Sequence, residues 1–215
     1  MVANPIPNQR PYDRTELLAD AIVHGGALAA ALFGGGYMLA QSLVHDGAKI
    51  AALVVYVLSL VAMLGFSAAY NLTPASPVKW ILRRFDHSAI YLMIAGTYTP
   101  VLLQLPHGLS LLLACVVWGG ALAGIALKVF LPGRFDMLAI VIYLALGWVG
   151  ILAGKTLVQS LPAVTLILIA VGGLIYSAGV PFYLWERLKF QNAIWHGFVV
   201  AAAACHFIGI AALYL

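Results

Sequence analysis

Arg83-Arg84-Phe85-Asp86-His87-Ser88-Ala89-Ile90-Tyr91, continuing to Gly96-Thr97-Tyr98-Thr99-Pro100, decides how this chain is read. Two arginines stop against an Asp-His pair, and an almost wholly apolar run follows. Arginines at such an edge mark the cytosolic boundary of a membrane span. A carboxylate and an imidazole just inside that boundary are costly, so they need partners or a task.

Working outward, the remaining sequence agrees. Of 215 residues, 64% are hydrophobic and 8% charged, against about 45–50% and about 25% in soluble domains. A span takes about 20 apolar residues. Seven stretches qualify: 20–43, 50–72, 87–105, 109–131, 135–153, 161–184 and 192–214. The expected fold is an all-α membrane protein, a seven-transmembrane helix bundle forming one domain at 20–215 after a polar tail at 1–19.

The net charge is +4, and its distribution gives an orientation. Arg10, Arg14, Lys79, Arg83, Arg84, Lys128, Arg134, Arg187 and Lys189 fall on one side of such a bundle, and Lys49 and Lys155 on the other. That split predicts a cytosolic N-terminus and an outer C-terminus. No lysine sits mid-span for a retinal Schiff base, and the N-terminus is opposite to that of a G-protein-coupled receptor. The cations form boundary patches rather than a basic face, so no nucleic-acid partner is expected. The spans are too apolar to line a wide aqueous channel.

Local signals set finer expectations. Residues 1–14 read as a disordered tail, with Thr15 as the N-cap of the first helix, and that first span as an uncleaved anchor. Residues 73–80 read as a proline-punctuated loop, and 106–108 and 132–133 as turns. Pro100 and Pro181 are expected to kink their spans. Small residues such as Gly120 and Gly124 let helices approach closely. Cys115 and Cys205 read as small packed residues, not a disulfide.

The few polar residues within spans gather at one depth. Glu16, Asp20 and His24 follow an i, i+4, i+8 spacing and share a helix face. Ser67 and Asn71 form an i, i+4 pair at the end of the second span, and Asn192 and His196 another at the start of the seventh. Asp86 and His87 open the third. Four helix ends thus bring polar groups to one level, and a pocket near the cytosolic surface is expected. Each has a plainer alternative: Asp86 as a helix cap, His87 turned to headgroups, His196 as a satisfied core histidine, Ser67 bonded to its own backbone. His206 lies deeper and needs a partner. His45 and His107 fall in outer loops.

On these residues the chain resembles the hemolysin III family, the bacterial branch of the progestin and adipoQ receptor superfamily. The resemblance rests on Ser67-Ala68-Ala69-Tyr70-Asn71, Asp86-His87, Ile94-Ala95-Gly96-Thr97-Tyr98-Thr99-Pro100, Asn192-Ala193-Ile194-Trp195-His196, and Glu16 with His24-Gly25. It implies a multi-pass protein of a bacterial inner membrane, with a role in cytolysis, channel activity or membrane-lipid homeostasis. It further implies a zinc held by histidines at positions 71, 192 and 196, with Ser67 and Asp86 in the catalytic neighbourhood of a lipid amide hydrolase. Here positions 71 and 192 are Asn, so His196 is the one family metal ligand retained. The expectation is a metal-free polar network of Ser67, Asn71, Asp86, Asn192 and His196. The alternatives are a zinc-dependent, ceramidase-like hydrolase with an altered metal site, and a lipid-sensing receptor. The partners expected are the bilayer and a lipid ligand; the sequence leaves the oligomeric state open.

Overall fold

The computed structural model describes residues 12–214, and every element in that range is helical. The helices are α1 (Arg14–Ser42), α2 (Gly47–Leu72), α3 (Pro77–Leu102), α4 (His107–Phe130), α5 (Asp136–Trp148), α6 (Gly154–Ser160), α7 (Ala163–Leu184) and α8 (Gln191–Tyr214). A 3₁₀ stretch, Val149–Ala153, joins α5 to α6 and makes one rod of 136–160. Six of the seven rods are long and apolar enough to cross a membrane. The remaining one, α3, has the length but carries Lys79, Arg83, Arg84 and Asp86 in its first half. The chain is a multi-pass membrane protein.

The helix starts follow from their caps. Asp13, not Thr15, caps α1: its carboxylate accepts the Glu16 amide at 2.9 Å, and the Glu16 carboxylate accepts the Asp13 amide at 3.1 Å. This reciprocal box satisfies two of the orphan donors of the first turn. Thr15 instead donates its hydroxyl to Asp13 at 2.6 Å. Those bonds hold the exposed Asp13 carboxyl below its ordinary pKa, the Thr15 hydroxyl first and the Glu16 amide second. The expected tail at 1–14 lies almost wholly outside the described residues.

Helix α3 begins ten residues ahead of the expected 87, because Ser76 is an N-cap with Pro77 directly after it. Proline has no amide to lose at a first helical position. The expected loop at 73–80 therefore shrinks to 73–76. Asp86 sits well inside the helix and does not cap it. The fifth rod also runs past its expected end at 153, to Ser160.

Outward faces carry large apolar side chains such as Ile22, Phe33, Leu58, Leu112, Leu122, Leu152 and Ile167. This is the surface a bilayer accepts and water does not. The largest core cluster joins α1, α2, α3 and α8 through Met38, Leu53, Tyr56, Leu60, Met63, Met93, Ala203 and Ile210. A second joins α3, α4 and α5 through Tyr91, Val117, Ala121 and Leu146. Gly120 and Gly124 make that contact possible: a Cβ at 120 would meet Leu146, and one at 124 would enter the Tyr91 ring.

The end of the bundle away from the arginines closes on Tyr214. Its hydroxyl donates to the Pro100 carbonyl at 2.8 Å and its own carbonyl accepts from His45 Nε2 at 2.9 Å. His45 thus ties the α1–α2 loop to the end of α8. His206 finds the Ile169 carbonyl at 3.1 Å. Cys115 and Cys205 are both unpaired, and Cys115 is exposed on the outer surface rather than packed.

Candidate functional site

One stripe of α1 faces inward: Glu16, Asp20, His24, Ala27, Ala31, Gly35, Met38 and Ser42. Its first three members are the polar ones, and all are buried. They do different work. Glu16 holds its own helix start, and its other oxygen accepts the Phe190 amide at 2.7 Å. It therefore braces the turn that leads into α8. Asp20 and His24 reach the bundle interior.

There the two imidazoles lie 4.3 Å apart, edge to face. His196 Nδ1 is 2.6 Å from the Asp20 carboxylate. His24 Nδ1 is 2.9 Å from the Asp20 carbonyl. A carbonyl oxygen only accepts, so His24 Nδ1 carries the proton. The far nitrogens converge on one hydroxyl: Ser67 Oγ is 3.1 Å from His24 Nε2 and 3.4 Å from His196 Nε2. Ser67 also interacts with the Asp86 carboxylate. The network thus draws on α1, α2, α3 and α8.

The two asparagines extend it toward Tyr12, just ahead of α1. Asn71 donates to the Ser67 carbonyl at 2.9 Å and to Ser67 Oγ at 3.4 Å. Asn192 donates to Asn71 Oδ1 at 3.2 Å. The Tyr12 hydroxyl closes this layer on Asn192 Oδ1 at 3.2 Å. The side-chain amides are spent on one another and on Ser67. A primary amide is a poor zinc ligand beside imidazole, and catalytic zinc takes its protein ligands from His, Cys and carboxylates. The residues at 71 and 192 do not fit a zinc at the family position.

His87 is adjacent but outside the network. Its ring stands edge-on to Tyr70, with centroids 6.4 Å apart, and its Nε2 is 4.0 Å from Asp86. Beside it lies an ion cluster that sequence reasoning missed. Asp136, at the start of α5, takes the buried Lys128 at 2.6 Å and Arg83 at 2.9 Å. The cue was an apolar span ending in Lys128, then a Pro-Gly turn, then an acid. Sequence reasoning also had no means of pairing Asp20 with His196, since that contact joins residues 176 apart.

These groups form the wall of a large cavity. It has a volume of about 980 Å³. His24, Ser67, Asn71, Lys79, Arg83, Asp86, Asn192 and His196 line one end. Beyond them the lining turns apolar, through Ile94, Tyr98, Ile140, Leu144 and Trp148 to Val101, Leu105 and Leu161. Along α3 the wall runs from Lys79 to Val101, about 33 Å at 1.5 Å per residue.

Comparison with known proteins agrees with this architecture. The pattern described as "Haemolysin-III related" matches residues 14–207. The chain is 37% identical to the hemolysin-3 homolog of Bacillus subtilis (strain 168) over 194 residues, 89% of this chain and 91% of that one. It is 36% identical to hemolysin-3 of Bacillus cereus, over 89% of each. It is also 31% identical to the monocyte to macrophage differentiation factor of Homo sapiens, over 58% of this chain and 52% of that protein. The family pattern runs from Arg14, at the start of α1, to Phe207 in α8, so the chain belongs to the haemolysin III-related family.

Proposed function

We propose that this protein crosses a bacterial inner membrane seven times, with its N-terminus in the cytosol, and holds one membrane amphiphile inside the bundle. The observation that carries the reading is the cavity of about 980 Å³, polar at one end, where Lys79 and Arg83 stand with Asp86 and Asp136, and apolar along the rest. Ligand cavities of about 300–1,000 Å³ lined mainly by apolar groups, with few convergent polar ones, are the usual form of a small-molecule site. An occupant that satisfies both ends has a polar head and a long hydrocarbon tail. Lys79 and Arg83 stand at the head end, and the tail follows α3, α5 and α7. The charge asymmetry of the sequence supports the orientation and puts the head end at the cytosolic leaflet.

A role in membrane-lipid homeostasis follows from holding such a molecule. A zinc-dependent hydrolase built on positions 71, 192 and 196 has no support, because Asn71 and Asn192 bond to each other.

The test is to purify the full chain in mild detergent, extract it and identify lipids by mass spectrometry. About one amphiphile per chain is expected. Thr97→Trp, which fills the middle of the cavity wall, should reduce it several-fold with the melting temperature unchanged. Lipid content that does not respond to the substitution would locate the lipid on the outer surface and end the reading.

A further inference from the structure

Beyond the head end the cavity wall is mainly apolar, but it carries a second polar group at mid-depth, where His206 and Tyr176 line it. His206 lies ten residues past His196 on α8, about 15 Å further along the bundle at 1.5 Å per residue. Its ring and that of Tyr176 pack with centroids 5.6 Å apart. Gly172 makes room for the imidazole, since a Cβ there would enter it. His206 Nε2 is 3.1 Å from the Ile169 carbonyl. A carbonyl only accepts, so Nε2 carries the proton and Nδ1 is a bare lone pair. Among the described residues no donor reaches that lone pair. The Tyr176 hydroxyl is the opposite case, buried and bonded to nothing among the described residues. Near it on α2, the Tyr56 hydroxyl is buried and unbonded as well. Ser177 is already spent: its Oγ donates to the Gly173 carbonyl at 2.8 Å and accepts the Trp148 indole N–H at 3.0 Å.

An unmet donor and an unmet acceptor in a membrane interior are each costly. These two are complementary and adjacent, yet they do not bond to each other. We infer that His206 and Tyr176 form a second polar station of the cavity, a site for a hydroxyl group carried part-way along the hydrocarbon of the bound amphiphile. A hydroxyl closes both valences at once: its oxygen accepts from the Tyr176 hydroxyl, and its own proton goes to His206 Nδ1. A carbonyl or ether oxygen would accept from Tyr176 and leave Nδ1 unmet, and a plain methylene would leave both unmet.

The station presupposes the lipid site proposed above and narrows its ligand class to amphiphiles with a hydroxylated chain. The spacing sets where that hydroxyl falls. An extended chain advances about 1.2 Å per bond, so about twelve bonds separate the head end from the station. A hydroxyl near the twelfth carbon of a long acyl chain meets that span. Tyr176→Phe is a clean probe of the station, because the hydroxyl it removes bonds to no other described residue.

The experiment offers the full chain, delipidated in mild detergent, two radiolabelled probes: the glycerol monoesters of octadecanoic and 12-hydroxyoctadecanoic acid. Retention on the purified protein gives each affinity. The hydroxylated ester is expected to bind about tenfold tighter, the worth of two hydrogen bonds in a dry site. Tyr176→Phe should bring the two within about twofold, by weakening the hydroxylated ester and leaving the other unchanged, and His206→Leu should do the same. Equal binding of the two esters by the unmodified chain would overturn the station and leave the lipid cavity standing, with a trapped water alone between Tyr176 and His206. A preference that survives Tyr176→Phe would also overturn it. Binding of neither ester would overturn the station and the lipid cavity together. The preference of the unmodified chain and its response to Tyr176→Phe decide even if His206→Leu fails to fold.

Discussion

Helices α2 and α5 are both apolar spans, yet they are built into the bundle differently. Helix α2 buries ten residues, among them Leu53, Tyr56, Leu60, Met63 and Leu64. Helix α5 buries only Ala139 and Leu146. In water that difference would be a fault in α5. In a bilayer it is not, because lipid is as apolar as a core and helices gain little from hiding leucines against each other. Hydropathy places a helix in the membrane; it does not say what packs on it. Where packing is dense, as on α2, the residues specify the fold. Where it is sparse, as on α5, the inner face is free to front a cavity.

The largest expected effect tests that contrast directly. Leu53→Ala, in the dense cluster, should cost about 2–5 kcal/mol. Leu144→Ala, on the cavity wall, should cost about 0.5 kcal/mol or less. Denaturation in detergent measures both, and equal losses would mean that the α5 wall is packed like the core. Next in size is Asp136→Asn. The Lys128–Asp136–Arg83 cluster is a charged anchor between α5 and helices α3 and α4. Removing the acid leaves Lys128 buried without its carboxylate. The cost should be up to about 3 kcal/mol, at the low end for a buried pair because Asp136 is partly exposed. Adding Lys128→Met should recover part of it. A silent Asp136→Asn would show that α5 is held by something other than this pair.

A smaller pair of substitutions sharpens the same point within the glycines. Gly124→Ala drives a Cβ into the fully buried Tyr91 ring, and overpacking of that kind costs about 1–3 kcal/mol. Gly36→Ala meets nothing within 4 Å, so the helix gains up to about 1 kcal/mol. Opposite signs in melting temperature are expected.

The sequence carried the fold well because membrane helices announce themselves by length and composition. It carried the site in part. Ser67–Asn71 and Asn192–His196 were visible because i, i+4 spacing fixes a shared face whatever the tertiary structure. The same rule grouped Glu16 with Asp20 and His24 on one buried face. Spacing cannot say which neighbour a side chain meets, and Glu16 meets the Phe190 amide. His87 was grouped with Asp86 by adjacency, but neighbours in sequence on a helix point about 100° apart. The α3 start was misplaced because its charges outweighed the Ser76-Pro77 cap signal. The polar end of the cavity was legible in the four helix ends, but its apolar length was not, since an apolar residue facing lipid, core or void reads alike.

Glu16 gives the finest probe of this division between scaffold and site. It shares a face with Asp20 and His24 but accepts two backbone amides, from Asp13 and Phe190. Phe190 has φ of 60°, in the left-handed region, a conformation that costs a non-glycine residue and that needs its surroundings to hold it. Glu16→Gln keeps one acceptor oxygen and replaces the other with a donor that faces an amide N–H. A loss of about 1–2 kcal/mol is expected, with lipid content unchanged. If lipid content falls together with stability, the stripe acts as one unit, and the α7–α8 turn that Glu16 braces also sets the position of His196 six residues further along α8.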